Sequence, residues 1–151
     1  METMVNNINR TISRCRAVDS FIFHNDIQKV FKETRKLYYS NYIRQIERLL
    51  DKDQLWIQEK DGEIIGVCGW ILINKEDEFQ INKLTWILPG NINEGNIIYI
   101  SFCLITKGSI HGFRSEFRRL FSDKVDEVFW YDISKHKYIR RKNILKELCH
   151  V

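Results

Sequence analysis

The stretch Asn96–Phe121, NIIYISFCLITKGSIHGFRSEFRRLF, decides the fold, because its hydrophobic period changes once within it. From Asn96 to Ile105 almost every residue is apolar, β-branched or aromatic. Such a run predicts a strand covered on both faces, since a half-exposed strand alternates apolar and polar. Thr106-Lys107-Gly108-Ser109 interrupts it. Ile110, Phe113, Phe117, Leu120 and Phe121 then recur at steps of three and four, with Arg114, Glu116, Arg118 and Arg119 between them, which predicts an amphipathic helix. A strand that turns within a few residues into a helix leaves backbone N–H groups and a positive dipole end at the turn, a geometry suited to phosphate or another anion. A plain β-α unit with a short connection satisfies the same pattern.

Outward toward the N-terminus, Asn91–Gly95 reads as a loop and Leu84–Leu88 as a strand ended by Pro89-Gly90, after a polar excursion over Asn74–Asn82. Leu55–Glu59 and Ile64–Ile73 flank Lys60-Asp61-Gly62-Glu63, the pattern of a β-hairpin. Gly66 and Gly69 inside its second strand predict a bulge or a close backbone approach. Further back, apolar residues at Ile27, Val30, Phe31, Leu37 and Tyr38, then at Ile43, Ile46, Leu49 and Leu50, predict two helices over about 26–38 and 41–51. Residues 1–19 are Asn- and Arg-rich, and read as a frayed start leading to a strand near Ala17–Phe23. Toward the C-terminus, Val125–Ile133 reads as a strand. A basic tail at Lys135–Lys142 and a helical Ile144-Leu145-Leu148 pattern follow.

The chain has 151 residues and reads as one domain, 1–151, long enough to bury roughly 70% of its unfolded surface. An apolar content of 44% with one Pro and seven Gly excludes a disordered or low-complexity chain. The net charge of +4 permits an acidic partner without demanding one. No apolar run reaches the roughly 20 residues of a membrane span, and Met1–Arg16 lacks the apolar core of a signal peptide. Cys15, Cys68, Cys103 and Cys149 show no CxxC spacing, which predicts buried, reduced thiols in a cytoplasmic protein. The four His and four Cys are scattered without zinc-site spacing, so no metal is expected. An abundance of Ile, Asn and Lys fits a low-GC bacterial or phage genome.

Two helices, a hairpin with a DGEIIG turn, a strand into a glycine-bearing turn and helix, then a strand and a basic tail: from about Ile22 to Asn143 this order resembles the GNAT acyltransferase fold. The resemblance implies an α+β, three-layer fold with a mixed, mainly antiparallel sheet flanked by helices, splayed beside its central strand where an acyl donor enters. In that family a Gln/Arg-x-x-Gly-x-Gly/Ala turn cradles the pyrophosphate of an acyl-CoA on backbone amides. Here Ser109-Ile110-His111-Gly112-Phe113-Arg114 takes that register, with Gly112 at the first glycine, Ser109 at the Gln/Arg position and Arg114 at the second Gly/Ala position.

The resemblance therefore implies acetyl-CoA or another acyl-CoA as co-substrate, bound by Phe102, Leu104, Lys107, Gly108, Ser109, His111, Gly112 and Arg114. The cations would supply donors beside bare amides. It implies N-acyl transfer, most simply of acetyl, to an amine of a small molecule or protein. Tyr138, or Tyr131 as second choice, would protonate the leaving thiolate, and Glu94 or Glu63 would serve the base. A non-catalytic GNAT-like binding or assembly protein is the alternative. A second resemblance, to toxin-activating lysine acyltransferases, rests on Ser20-Phe21-Ile22-Phe23-His24 and on the apolar strand into a Gly turn. It implies His24 as the catalytic group and acyl carrier protein as donor. The basic run Lys135–Lys142 is a candidate contact for an acidic protein or nucleic acid.

Overall fold

The computed structural model describes residues 2–25, 29–81, 93–120, 125–132, 135 and 137–142. In chain order these form helices α1 (Glu2–Asn25), α2 (Lys29–Leu37) and α3 (Tyr39–Asp51), strands β1 (Leu55–Lys60) and β2 (Glu63–Ile73), and a 3-10 turn (Lys75–Gln80). Strand β3 (Ile97–Ile105), a second 3-10 turn (Lys107–Ser109), helix α4 (Ile110–Leu120), and strands β4 (Glu127–Asp132) and β5 (Lys137–Lys142) complete them. The sheet order is β1-β2-β3-β4-β5, antiparallel throughout except for the parallel pair β3–β4. Parallel neighbours need a crossover, and α4 lies between them in sequence. The predicted strand at Leu84–Leu88 and the helical pattern after Asn143 lie outside the described residues.

Two apolar clusters sandwich the sheet. Cys15, Val18 and Ile22 of α1 and Tyr42, Ile46 and Leu49 of α3 pack on Val67, Ile71, Tyr99, Phe102 and Phe129. On the other face Cys68, Trp70, Ile98, Ile100, Val125 and Val128 meet Trp56 and Phe113, and Phe113 of α4 stands edge-on to Trp56 at 5.8 Å. The fold is α+β: a mixed, mainly antiparallel sheet flanked by helices.

The β1–β2 hairpin forms as its sequence predicts. Asp61 and Gly62 both take positive φ (53° and 81°) between the paired Lys60 and Glu63, the backbone of a two-residue type I′ turn. The close approach expected at the β2 glycines is present. A Cβ on Gly66 would lie 2.6 Å from Ser109 Oγ, and one on Gly69 would lie 2.7 Å from the Phe102 ring.

The N-terminal region departs from expectation: a continuous helix replaces a frayed start and a strand at Ala17–Phe23. Cys15, Val18 and Ile22 fall at steps of three and four and are buried, so a short helical face anchors α1 despite polar surroundings. Asp19 on the same helix is buried and receives Arg35 at 2.8 and 2.7 Å, a bidentate pair that ties α2 to α1. Among the described residues no helix is long and apolar enough to cross a membrane, and no group of three or more His, Cys, Asp or Glu is placed to hold a metal ion.

Candidate functional site

Strands β3 and β4 pair at only three positions, Ile97↔Glu127, Ile98↔Val128 and Tyr99↔Phe129. Their first ends are clamped together: the Asp126 amide donates to the Asn96 carbonyl at 2.7 Å, and the Asn96 side-chain amide donates to the Asp126 carboxylate. Beyond Tyr99, β3 runs on to Ile105 with no β4 partner, while β4 continues beside β5 through Asp132↔Lys137. The two parallel strands thus enclose a wedge that widens toward the Lys107 turn.

A bulge sits at the apex of the wedge. On β2 the step from Gly69 to Trp70 is matched on β3 by a step from Phe102 to Ile100, leaving Ser101 as the extra residue. Gln45 of α3 donates to the Ser101 hydroxyl at 3.3 Å, holding it on the α3 side. The insertion shifts the pleat, so that Phe102 joins the core beneath α3. Local bending and extra twist at a bulge direct the rest of β3 away from β4. The run expected to be covered on both faces is therefore covered only over Ile97–Ile100; past the bulge Cys103 is exposed and Leu104 and Ile105 are half-buried.

At the wide end the Thr106 amide and hydroxyl both donate to the Ile65 carbonyl, at 3.3 and 2.5 Å, fixing the turn to β2. The Ser109 amide and hydroxyl each donate to the Thr106 carbonyl, both at 3.0 Å. Ser109 is fully buried and pressed over Gly66. The side chain expected to bind a cofactor therefore faces the sheet. The amides of Lys107 and Gly108 precede the first bond of this helical turn, so no carbonyl of their own helix can receive them. Lys107, Gly108, His111 and Arg114 are exposed, and among the described residues none of the three basic side chains forms an ion pair. A Cβ on Gly112 would collide with Gln58 Oε1, a buried acceptor without a hydrogen-bond partner, so the missing side chain serves contact between α4 and β1.

Of the strand residues expected to line the cofactor, Phe102 is buried in the core and Leu104 packs half-buried against it. Their side chains hold the wall in place, and the opening is offered a strand edge.

Tyrosines gather on the α3 face beside the apex. The Tyr99 and Phe129 rings lie 4.9 Å apart, Phe129 and Tyr138 5.8 Å, and Tyr131 and Tyr138 5.2 Å. Burial, with Tyr138 nearby, holds the Tyr99 phenol well above its ordinary range. Burial also raises Tyr138, with Tyr131 and Glu78 adding to the shift and Arg140 opposing it. Tyr138 keeps 39% of its surface exposed and so reaches solvent, unlike Tyr99.

The remaining candidates stand elsewhere. Glu94 is exposed just before β3, at the clamped end of the β3–β4 pair. Glu63 is exposed beside the hairpin turn. His24 is exposed in the last turn of α1, its ring edge-on to Phe23 at 5.6 Å. Ser20 is exposed one turn earlier on the same helix, and the toxin-activating resemblance gains no support from this placement. The expected basic tail is an edge strand. Within it Arg140 pairs with Glu78 and Glu127 at 2.7 and 2.9 Å and lies over the Phe129 ring, while Lys137, Arg141 and Lys142 are exposed. Charge along an outer strand discourages pairing with another sheet.

Sequence reasoning missed Tyr99, Ser101 and Gln45. The first two lie inside an unbroken apolar run, where periodicity cannot mark a bulge. Gln45 interrupts a helical face, the one signal that pointed to a buried polar contact.

No protein-family model matches the chain, and no curated protein matches it. Among solved structures the chain is similar to one from Staphylococcus aureus Mu50 described as a "putative acetyltransferase", with 14% identity over 67% of this chain and 68% of that one, at a TM-score of 0.42.

Proposed function

We propose that this protein is an acyl-CoA-dependent N-acyltransferase, with acetyl the simplest group carried, acting on an amine of a small molecule or protein. The observation that carries this reading is the wedge beyond Tyr99↔Phe129, closed by the Asn96–Asp126 clamp and opening toward Lys107. A β-strand edge left without a partner offers main-chain donors and acceptors to an extended amide-bearing arm. The amides of Lys107 and Gly108, with His111, offer hydrogen bonds, and Lys107 and Arg114 offer positive charge, to the phosphates at the arm's other end.

In the reaction the acceptor nitrogen attacks the thioester carbonyl. The carbon–nitrogen bond forms, the carbon–sulfur bond breaks, the nitrogen loses a proton and the thiolate gains one. Tyr138 is assigned the second transfer, because it lies on the aromatic cluster beside the apex and its side chain reaches solvent there. Tyr131 is its alternate. With Glu94 and Glu63 at the ends of their strands, water takes the proton from the amine.

A non-catalytic binding module is the second reading, and two observations favour it: Ser109 turns inward, and Gly112 packs on Gln58. Calorimetric titration with acetyl-CoA separates the readings. Binding is expected, weakened about tenfold by Arg114→Glu, the loss of one charge-assisted contact. Absence of heat at millimolar ligand removes the acyl-CoA reading.

A further inference from the structure

Cys68 of β2 and Cys103 of β3 are direct register partners across an antiparallel pair. The two differ sharply in access: Cys68 is buried at 3% exposure, whereas Cys103 is exposed. A transverse row, Trp56–Cys68–Cys103, crosses β1, β2 and β3 at this level. Phe113 of α4 covers its Trp56 end, and Glu116 of α4 is close enough to bear on Cys68. Its other end reaches the part of β3 that β4 no longer covers, and this is why one thiol of the pair meets solvent.

Register partners in an antiparallel pair have Cα atoms about 4.5 or 5.5 Å apart, inside the range of about 4.4–6.8 Å that a disulfide spans. The ladder itself therefore holds the two sulfurs in position to join.

We propose that Cys103 and Cys68 form a peroxide-reactive dithiol, Cys103 the attacking and Cys68 the resolving thiol. The Cys103 thiolate attacks one peroxide oxygen, the oxygen–oxygen bond breaks, and hydroxide leaves, giving a sulfenic acid. The Cys68 sulfur then attacks the Cys103 sulfur. A sulfur–sulfur bond forms, the sulfenic oxygen leaves as hydroxide, and the Cys68 proton converts it to water. In sum, two thiols and one hydrogen peroxide give one disulfide and two waters. Burial shields Cys68 from peroxide while Cys103 meets solvent, so the order of steps follows from access. The bridge stays accessible to reductant on the Cys103 side, the property of a reversible pair. This inference does not depend on acyl transfer.

The test treats the full-length reduced protein with hydrogen peroxide, blocks remaining thiols by alkylation under denaturing conditions, and maps peptides by mass spectrometry. A linked peptide pair holding Cys68 and Cys103 is expected, lighter by two hydrogens and released by dithiothreitol. In Cys68→Ala, Cys103 is expected to accumulate as a sulfenic acid trapped by dimedone. In Cys103→Ser, Cys68 is expected to stay alkylatable on unfolding. Links from Cys103 to Cys15, to Cys149 or to a second chain overturn the proposal, as does retention of both free thiols while dimedone labels neither.

Discussion

Tyr138 shows how much of a side chain's chemistry comes from its strand neighbours. On an isolated strand it would be an ordinary phenol. Opposite Tyr131 and over Phe129 it is partly desolvated and its proton is held more tightly. If it delivers that proton to a departing thiolate, Tyr138→Phe lowers kcat by about 10²-fold or more, the range for one general acid, while the acyl-CoA dissociation constant stays nearly fixed. Steady-state kinetics beside direct titration reads both, and unchanged kcat discards the role. Gly95 makes a separate residue-scale argument. Its φ is 145°, and a Cβ there would run into the backbone carbonyl of Ile73, which a rotamer change cannot relieve. Gly95→Ala is expected to destabilise by about 2 kcal/mol, a fall of roughly 4–8 °C in Tm for a chain of this size. Calorimetry checks it, and an unchanged Tm would show that the entry to β3 tolerates a side chain.

At the scale of elements, the sequence displayed periods well and interruptions poorly. The change from a continuous apolar run to steps of three and four marked β3 and α4 within a residue or two, and Asp61-Gly62 marked the hairpin because two positive φ angles need such residues. The bulge at Ser101 was invisible for a physical reason: between Ile100 and Phe102 both faces are apolar, so a shift of pleat leaves no trace in composition. In α1 the opposite problem hid a helix, since three buried positions among polar residues give too weak a stripe. The splay is the element on which function rests, and hydrogen exchange measures it. Backbone amides on the open edge of β3 past Tyr99 are expected to exchange faster than those bonded to β2. Acetyl-CoA is expected to slow that same edge. Uniform protection of β3 in the free protein would mean the strands close on each other and leave no wedge.

At the scale of the whole molecule, the sheet buries acidic protons on both faces: phenols on the α1–α3 side and Cys68 on the α4 side. Burial raises Tyr99 and Cys15, and the neighbouring Cys103 thiol together with burial raises Cys68. The sign of the consequence follows from linkage. Each group holds its proton in the folded chain and releases it in the unfolded chain at about pH 8.5 for a thiol and about pH 10 for a phenol. Above those values the unfolded state binds fewer protons, so stability falls as pH rises. Below them the contribution is present in full and level. The slope is at most about 1.4 kcal/mol per pH unit for each group, reached between its unfolded and folded values. Urea midpoints measured from about pH 7 to about pH 11 are therefore expected to hold level and then decline. Tyr99→Phe removes a deeply buried phenol, so its midpoint is expected to decline less steeply than that of the wild type above about pH 10. Parallel declines in the two proteins would show that Tyr99 ionises as freely folded as unfolded. The aromatic cluster beside the wedge would then be wet, and Tyr138, its exposed member, would lose the desolvation that fits it to hold a proton.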